Sequence, residues 1–341
     1  MNDFHLDRRA VFVIDRRRCL QLAAGSALAP AFGMTAARAQ PIIYPDRAVR
    51  LVVPFAPLTR ADLIGRLLAA LLAEMWGQHV LVENHKGAGG NIAADVVAHA
   101  DPDGYTLLLA STGLAINRFL YHTLTYDPVA DFAPVSLLCS YPDIMVVPVS
   151  SPARTVQEFI DHAKANHGRI TFASVAIGTS GHLAGELFKR MAQIEMTHIP
   201  YLGPGPAYND VIPGRVDVMF ATANSALLLM QNGKLRGLAV TSLKRQAWAP
   251  DLPTVAESGL PDFEVSTWFG LVAPAGSPPE IVGKISADAA RAVHEPDFVE
   301  QLDKIVTMAV GSTPEQLAHH LKSEMDKWGP VIAELHIRPN D

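Results

Sequence analysis

The chain has only two cysteines among 341 residues. That excludes a disulfide scaffold and a zinc framework built from several thiolates. It also lacks an excess of positive charge. Its 28 basic residues stand against 34 acidic ones, a formal net charge of −6, whereas a nucleic-acid binder needs a basic footprint. Beyond residue 40 there is no run of roughly 18 apolar residues, the length a membrane-spanning helix requires. Hydrophobic residues still make up 49% of the chain, the fraction of a packed globular protein, which excludes wholesale disorder. At about 100–200 residues per domain, the length suggests two domains.

Residues 1–39 read as an export signal rather than as part of the fold. Arg8, Arg9, Arg16, Arg17 and Arg18 form a basic start, and the apolar run CLQLAAGSALAPAFGM follows. That run is too short to span a bilayer. Ala37-Arg38-Ala39 supplies a small–x–small cleavage site and makes Gln40 the new N-terminus. RRRCLQL resembles a twin-arginine signal, with Cys19 where an aromatic is usual. Cleavage would remove six Arg and three Asp, leaving 22 basic against 31 acidic residues, a net −9, and one cysteine, Cys139. Such a field gives no long-range steering to an anion, so an anion site must be built locally.

The remaining pattern alternates strands and helices. RLVVPF (50–55), HVLVEN (79–84) and YTLLLAS (105–111) read as buried strands. Between the first two, Leu63, Leu67, Leu71 and Met75 recur every fourth residue beside Ile64, Leu68 and Leu72, a helix face that Gly77 terminates. Asn91 is placed to cap the next helix. This β–α–β–α–β order predicts a parallel sheet covered by helices. Residues 135–149 form a long extended segment with a break expected near Tyr141-Pro142, and 264–276 form a second. Between them lie a capping box at Thr155–Glu158 and a complete α/β block. The last helix opens at Thr313-Pro314-Glu315-Gln316. The chain is thus expected to cross to a second lobe and return, so that 40–141 with 267–341 make one lobe and 142–266 the other. Two crossings allow a hinge around a cleft. Ligands in such sheets sit at the carboxyl ends of strands against helix starts, which singles out loops 55–62, 84–91, 111–117, 174–182, 201–206 and 221–225.

Most catalytic chemistry finds no support. There is no HExxH and no cysteine cluster, and His319-His320 read as solvated residues of a polar helix, so no metal is expected. GTSGH (178–182) puts Ser180 near His182, but G-x-S-x-G is absent and neighbours two apart do not make a triad. GAGGN (87–91) lacks the full dinucleotide fingerprint, because Ile92 takes its last position. Asp131, Asp143, Asp210 and Asp217 are scattered, with no spacing that pairs them. No cofactor and no enzymatic activity are expected. What remains is a set of small-polar loops at helix starts: Ser111-Thr112, Gly178-Thr179-Ser180 and Tyr201. Their hydroxyls and backbone N–H groups suit a carboxylate, and equally suit ordinary helix capping.

The runs RLVVPF (50–55), HVLVENHKGAGGNIAADVVA (79–98), DPDGYTLLLAS (101–111), YDPVADFAPVSLL (126–138), HIPYLGPGPAYNDVIPGRVDVMF (198–220), GKLRGLAVTSLKR (233–245), LPTVAESGLPDFE (252–264) and VGSTPEQL (310–317) together resemble one family, the Bug family of periplasmic solute receptors of tripartite tricarboxylate transporters. The resemblance covers nearly all of 44–337 in register. It implies a type II periplasmic-binding-protein fold, two α/β lobes joined by two crossings around a ligand cleft, that closes like a Venus flytrap on an organic carboxylate. It further implies a periplasmic location and membrane transporter subunits as partners, which orphan members lack. In the family the first-strand loop and the loop here at 178–182 hold the carboxylate, with ordered waters. Candidate contacts are therefore Phe55, Ala56, Pro57, Thr59, Arg60, Ser111, Thr112, Gly178, Thr179, Ser180 and Tyr201, with Trp268 at the second crossing as a further lining residue or a core one. A monomer is expected. The rival readings are a partner that presents its ligand to a membrane sensor and an enzyme using Ser180 or His182.

The chain departs from the family at two places. Family members usually read P-F-x-P-G-G-G-x-D in the first loop; here Leu58, Thr59 and Arg60 replace the glycines, which reshapes a main-chain cradle that glycine permits. Arg60 stands beside a helix start, where a cation is unfavourable by roughly 0.3–1 kcal/mol. Either a bound carboxylate offsets this through a bidentate contact, or Arg60 points to solvent and pairs with Asp62. Many members also carry an acid just after the strand ending in Phe220, where this chain has Ala221. Its absence, with the added bulk of Leu58, points to a non-amino carboxylate with an apolar body.

Overall fold

A computed structural model describes residues 43–335; the expected export segment and cleavage site lie outside the described residues. In chain order the elements are β1 (Val49–Val53), α1 (Arg60–Trp76), β2 (Val80–Asn84), α2 (Asn91–Ala98), β3 (Thr106–Ser111), α3 (Thr112–Leu120), β4 (Phe132–Pro148), α4 (Val156–Ala165), β5 (Thr171–Val175), α5 (Ser180–Ala192), β6 (Thr197–Tyr201), α6 (Pro204–Val211), β7 (Val218–Thr222), α7 (Ala223–Gln231), β8 (Leu235–Val240), β9 (Ser266–Pro274), α8 (Pro279–Ala292), α9 (Pro296–Lys304), β10 (Met308–Ala309) and α10 (Pro314–Leu335). The strands lie in the order β2-β1-β3-β9-β4-β7-β5-β6, with β8 and β10 also paired to β4. None of the described helices is long and apolar enough to cross a membrane.

The local chemistry explains most of these elements. β1 pairs in parallel with β2 and β3, and its Leu51, Val52 and Val53 are all buried, as a strand covered on both faces requires. α1 buries Ile64, Leu68 and Leu72, while Leu63 of the neighbouring stripe is exposed. It ends at Gly77 in the left-handed conformation, whose N–H reaches Ala73 O at 3.0 Å. Thr155 accepts from Glu158 N at 3.1 Å, but the Glu158 carboxylate accepts from Arg154 N at 2.6 Å rather than from Thr155 N, so only half of that expected capping box forms, whereas Thr313 exchanges hydrogen bonds with Gln316 at 2.9 and 3.3 Å and completes the other. Asn91 does not cap α2. It is the first helical residue, and its side chain accepts from Asn117 Nδ2 and Tyr126 OH at 2.6 and 2.8 Å.

The break expected at Tyr141-Pro142 does not occur; β4 is one strand of 17 residues. Up to Pro142 it pairs with β9, and from Asp143 onward with β7 and β8. Proline lacks an N–H, but the neighbouring Asp143 N–H is taken by the Thr241 hydroxyl at 2.8 Å. That hydroxyl also donates to Val265 O at 2.6 Å, and Thr241 N–H reaches Asp143 O at 3.0 Å. Buried Thr241 thus ties together the two segments that run from one half of the sheet to the other.

Gly185 of α5 packs on Phe172 of β5, and a Cβ there would fall 2.2 Å from the Phe172 ring. The ring is fully buried and stacked on His198 at 4.8 Å, so it has nowhere to move. Helix propensity alone would make Gly185→Ala stabilising by about 1 kcal/mol. We expect overpacking to win, with a loss of about 1–3 kcal/mol in chemical denaturation. An unchanged or higher midpoint would contradict this packing.

Candidate functional site

A cavity of about 600 Å³ lies where β4 and β9 carry the chain between the halves of the sheet. Helix starts converge on it: Arg60 and Ala61 of α1, Thr112 and Gly113 of α3, Ser180 and Gly181 of α5, Pro204 of α6, and Thr222 before α7. The first N–H groups of a helix have no partner inside it. At α3 and α5 the cap side chains, Ser111 and Thr179, make no bond to their own helix, so these backbone donors remain for an anion, which the helix dipoles favour. The body of the cavity is apolar, lined by Ile116, Leu120, Ile177, Leu183, Phe220 and Trp328 among others.

The loop entering α5 is held in a strained shape. Ala176 has φ +72° and Gly178 φ +79°, and a left-handed alanine costs about 1–2 kcal/mol. Four bonds hold it. Ala176 N donates to Tyr201 O at 2.9 Å, and its carbonyl accepts from the hydroxyls of Ser174 at 2.9 Å and Thr179 at 3.0 Å. Gly178 N donates to His182 Nδ1 at 3.0 Å. That last bond requires a neutral His182 with its proton on Nε2. Burial, then His198 and Lys189, push His182 down to about 3; burial, then Lys189, push His198 down to about 4. His182 therefore serves the backbone of the loop, and no hydrogen bond joins it to Ser180. The single proton of Ser174 goes to Ala176 O, so His198 Nε2, 2.7 Å away, is the donor in that pair.

Among the described residues lining the cavity, Arg60 is the sole cation and Asp143 the sole carboxylate. Arg60 donates to the buried Thr307 hydroxyl at 2.7 Å and lies over the Tyr141 ring, 4.0 Å from its centroid. Its remaining N–H groups have no hydrogen-bond partner among the described residues. It does not pair with Asp62. Asp62 is buried and bonded instead to Arg66, Asn84 and Leu58 N, which lowers its carboxyl to about 2, the Arg66 hydrogen bond being the largest cause. Asp143 is 2% exposed, and neither carboxylate oxygen has a hydrogen-bond partner. Burial pushes it up to about 7, opposed by the nearby Ser180 hydroxyl and Arg60.

Of the residues expected from sequence, the cavity brings together Phe55, Thr59, Arg60, Ser111, Thr112, Gly178, Thr179 and Ser180. The hydroxyl of Thr59 is already used, donating to Ala56 O at 2.8 Å and capping α1. Ala56, Pro57 and Tyr201 do not line the cavity; Tyr201 instead donates to Asp210 at 2.8 Å. Trp268 belongs to the core and donates to Glu324 at 3.3 Å, whereas Trp328 of α10 reaches the cavity. Leu58 adds no bulk, being 97% exposed at φ +68°, the conformation a glycine would favour. His320 is not a solvated residue. It lies edge-on to Trp268 at 5.1 Å, with Nε2 buried and unpartnered. Asp143, one of the scattered acids in the sequence, comes to line the cavity only through the register of β4 on β7, where it faces Thr222.

A family model described as "Tripartite tricarboxylate transporter family receptor" matches residues 64–337. A protein from the tcbD-tcbE intergenic region of Pseudomonas sp. strain P51 is 41% identical, covering 96% of each chain, and Protein BugT of Bordetella pertussis is 34% identical over 89% of this chain and 94% of its own. Among solved structures, Rpa4515 of R. palustris with adipate is 36% identical, with a TM-score of 0.70 over 87% of this chain and 100% of its own. MatC of Rhodopseudomonas palustris with bound malate is 33% identical, with a TM-score of 0.66 over 85% and 100%. A ligand-free solute-binding protein from Polaromonas is 28% identical, with a TM-score of 0.78 over 85% and 99%.

The state of Asp143 has a consequence for stability. Its folded pKa is raised, so its cost is absent below the unfolded value of 3.8 and grows as pH rises to about 7. In the ligand-free protein, the stability of Asp143→Asn relative to wild type should therefore improve by on the order of 3 kcal/mol between about pH 4 and about pH 8. Denaturation curves showing a pH-independent difference would contradict it.

Proposed function

Since the chain belongs to the tripartite tricarboxylate transporter receptor family, whose members are periplasmic solute receptors, we propose that it captures a small organic carboxylate in the cavity between β4 and β9 and delivers it to the membrane subunits of such a transporter. The observation that carries this is the convergence of Arg60 with the uncapped starts of α3 and α5 on one apolar cavity of about 600 Å³. The ligand carboxylate takes the backbone donors and the Arg60 guanidinium, in a volume suited to a small organic molecule. Adipate and malate in the related structures support an acid as the ligand class.

In this reading the lobes meet where β4 changes partners, between Pro142 and Asp143, and near Ser266 on β9. They close on the ligand by bending there. The sequence start 1–39 supplies the export signal. No bond is made or broken: His182 is committed to the Gly178 N–H and offers Ser180 no base.

A thermal-shift screen over mono-, di- and tricarboxylates and aromatic acids should find a binder, which at 100 times its dissociation constant adds about 2.7 kcal/mol of stability. Arg60→Ala should weaken that acid at least about tenfold. Full retention of affinity would remove Arg60 from the site.

A further inference from the structure

Ala221 leaves β7 without an acid beside the cavity, but β4 supplies one. Asp143 lies one strand over, opposite Thr222. Its backbone is locked on both sides by Thr241, its side chain lines the cavity at 2% exposure, and neither oxygen is hydrogen-bonded. Leaving a buried carboxyl unpaired is costly, and the nearby Ser180 hydroxyl and Arg60 offset that cost only in part. The groups facing it are Arg60 of α1, Tyr141 of β4, Ser180 of α5 and Tyr208 of α6. Tyr208 is engaged with Ser225 at 2.6 Å, and Arg60 with Thr307 and the Tyr141 ring.

We propose that Asp143 is a specificity-determining residue that receives the ammonium group of the bound solute, so that this receptor takes zwitterionic amino carboxylates with an apolar body in preference to plain carboxylates. The inference rests on the carboxylate-receptor reading and narrows it. The cavity holds one cation and one carboxylate, so a zwitterion leaves it neutral, with the ligand carboxylate at Arg60 and the helix starts and the ammonium at Asp143. A neutral hydroxyl would recover less, since hydrogen bonds between charged groups are roughly twice as strong. A second ligand carboxylate would instead keep Asp143 protonated, so its binding would weaken as pH rises through about 7, where that proton is lost. Burial raises the pKa of the empty site, and an ammonium arriving beside Asp143 would lower it again.

The test is calorimetry on the intact receptor with matched probes, L-phenylalanine against hydrocinnamate and L-glutamate against glutarate. In at least one pair the amino member should bind wild type at least about tenfold tighter, and in Asp143→Asn that ratio should fall at least about tenfold. The wild-type comparison stands on its own if the variant does not fold. If the des-amino member of every binding pair is as tight or tighter, the inference is overturned while the carboxylate reading survives. The same holds if glutarate tightens steadily as pH falls, the mark of a protonated Asp143. Binding of no acid in either pair or in the wider carboxylate screen overturns both.

Discussion

The structure depends on one strand shared by two half-sheets. β4 leaves β9 and joins β7 and β8 within a single peptide step, between Pro142 and Asp143. The hydroxyl and N–H of Thr241 hold this step against the return crossing at Val265. Because the two crossings are stitched side by side, the parallel strands on either side end facing each other. Their following helices then begin on a common space. The cavity is a consequence of that connection.

Local electrostatics follow from the same arrangement. The chain as a whole is acidic, with a net charge of −6, so the proposed anion capture relies on short-range donors. Helix starts without side-chain caps provide them at α3 and α5. At α1 the cap is filled by Thr59, and the donor is the Arg60 side chain instead. The strained Ala176 turn is retained because Tyr201 O, Ser174, Thr179 and a neutral His182 bind it from several directions. Asp143 is the counterweight, a buried carboxyl at the crossing whose oxygens have no hydrogen-bond partner among the described residues.

Much of the fold was legible because its signals are local. The β–α alternation, the Gly77 stop, the Thr155 cap, the capping box at Thr313 and the two long extended segments each rest on residues close together in the chain. That the starts of α1, α3 and α5 gather at one cavity was legible for the same reason. What was not legible depends on register and on distant packing. Asp143 looks like one scattered acid until β4 is aligned on β7. Trp268 and Trp328 cannot be told apart as core and cavity residues until α10 is docked, since both reach Glu324. Leu58 reads as cavity bulk until its left-handed backbone turns it to solvent. Arg66, one helical turn after Asp62, takes the acid that seemed available to Arg60.

The central claim is that the two halves of the sheet close around an organic acid by bending at the paired crossings. Small-angle scattering of the purified protein, recorded alone and then saturated with an acid that stabilises it, tests this most directly. The account predicts a smaller radius of gyration in the presence of the acid. Superimposable curves under saturating acid would contradict it.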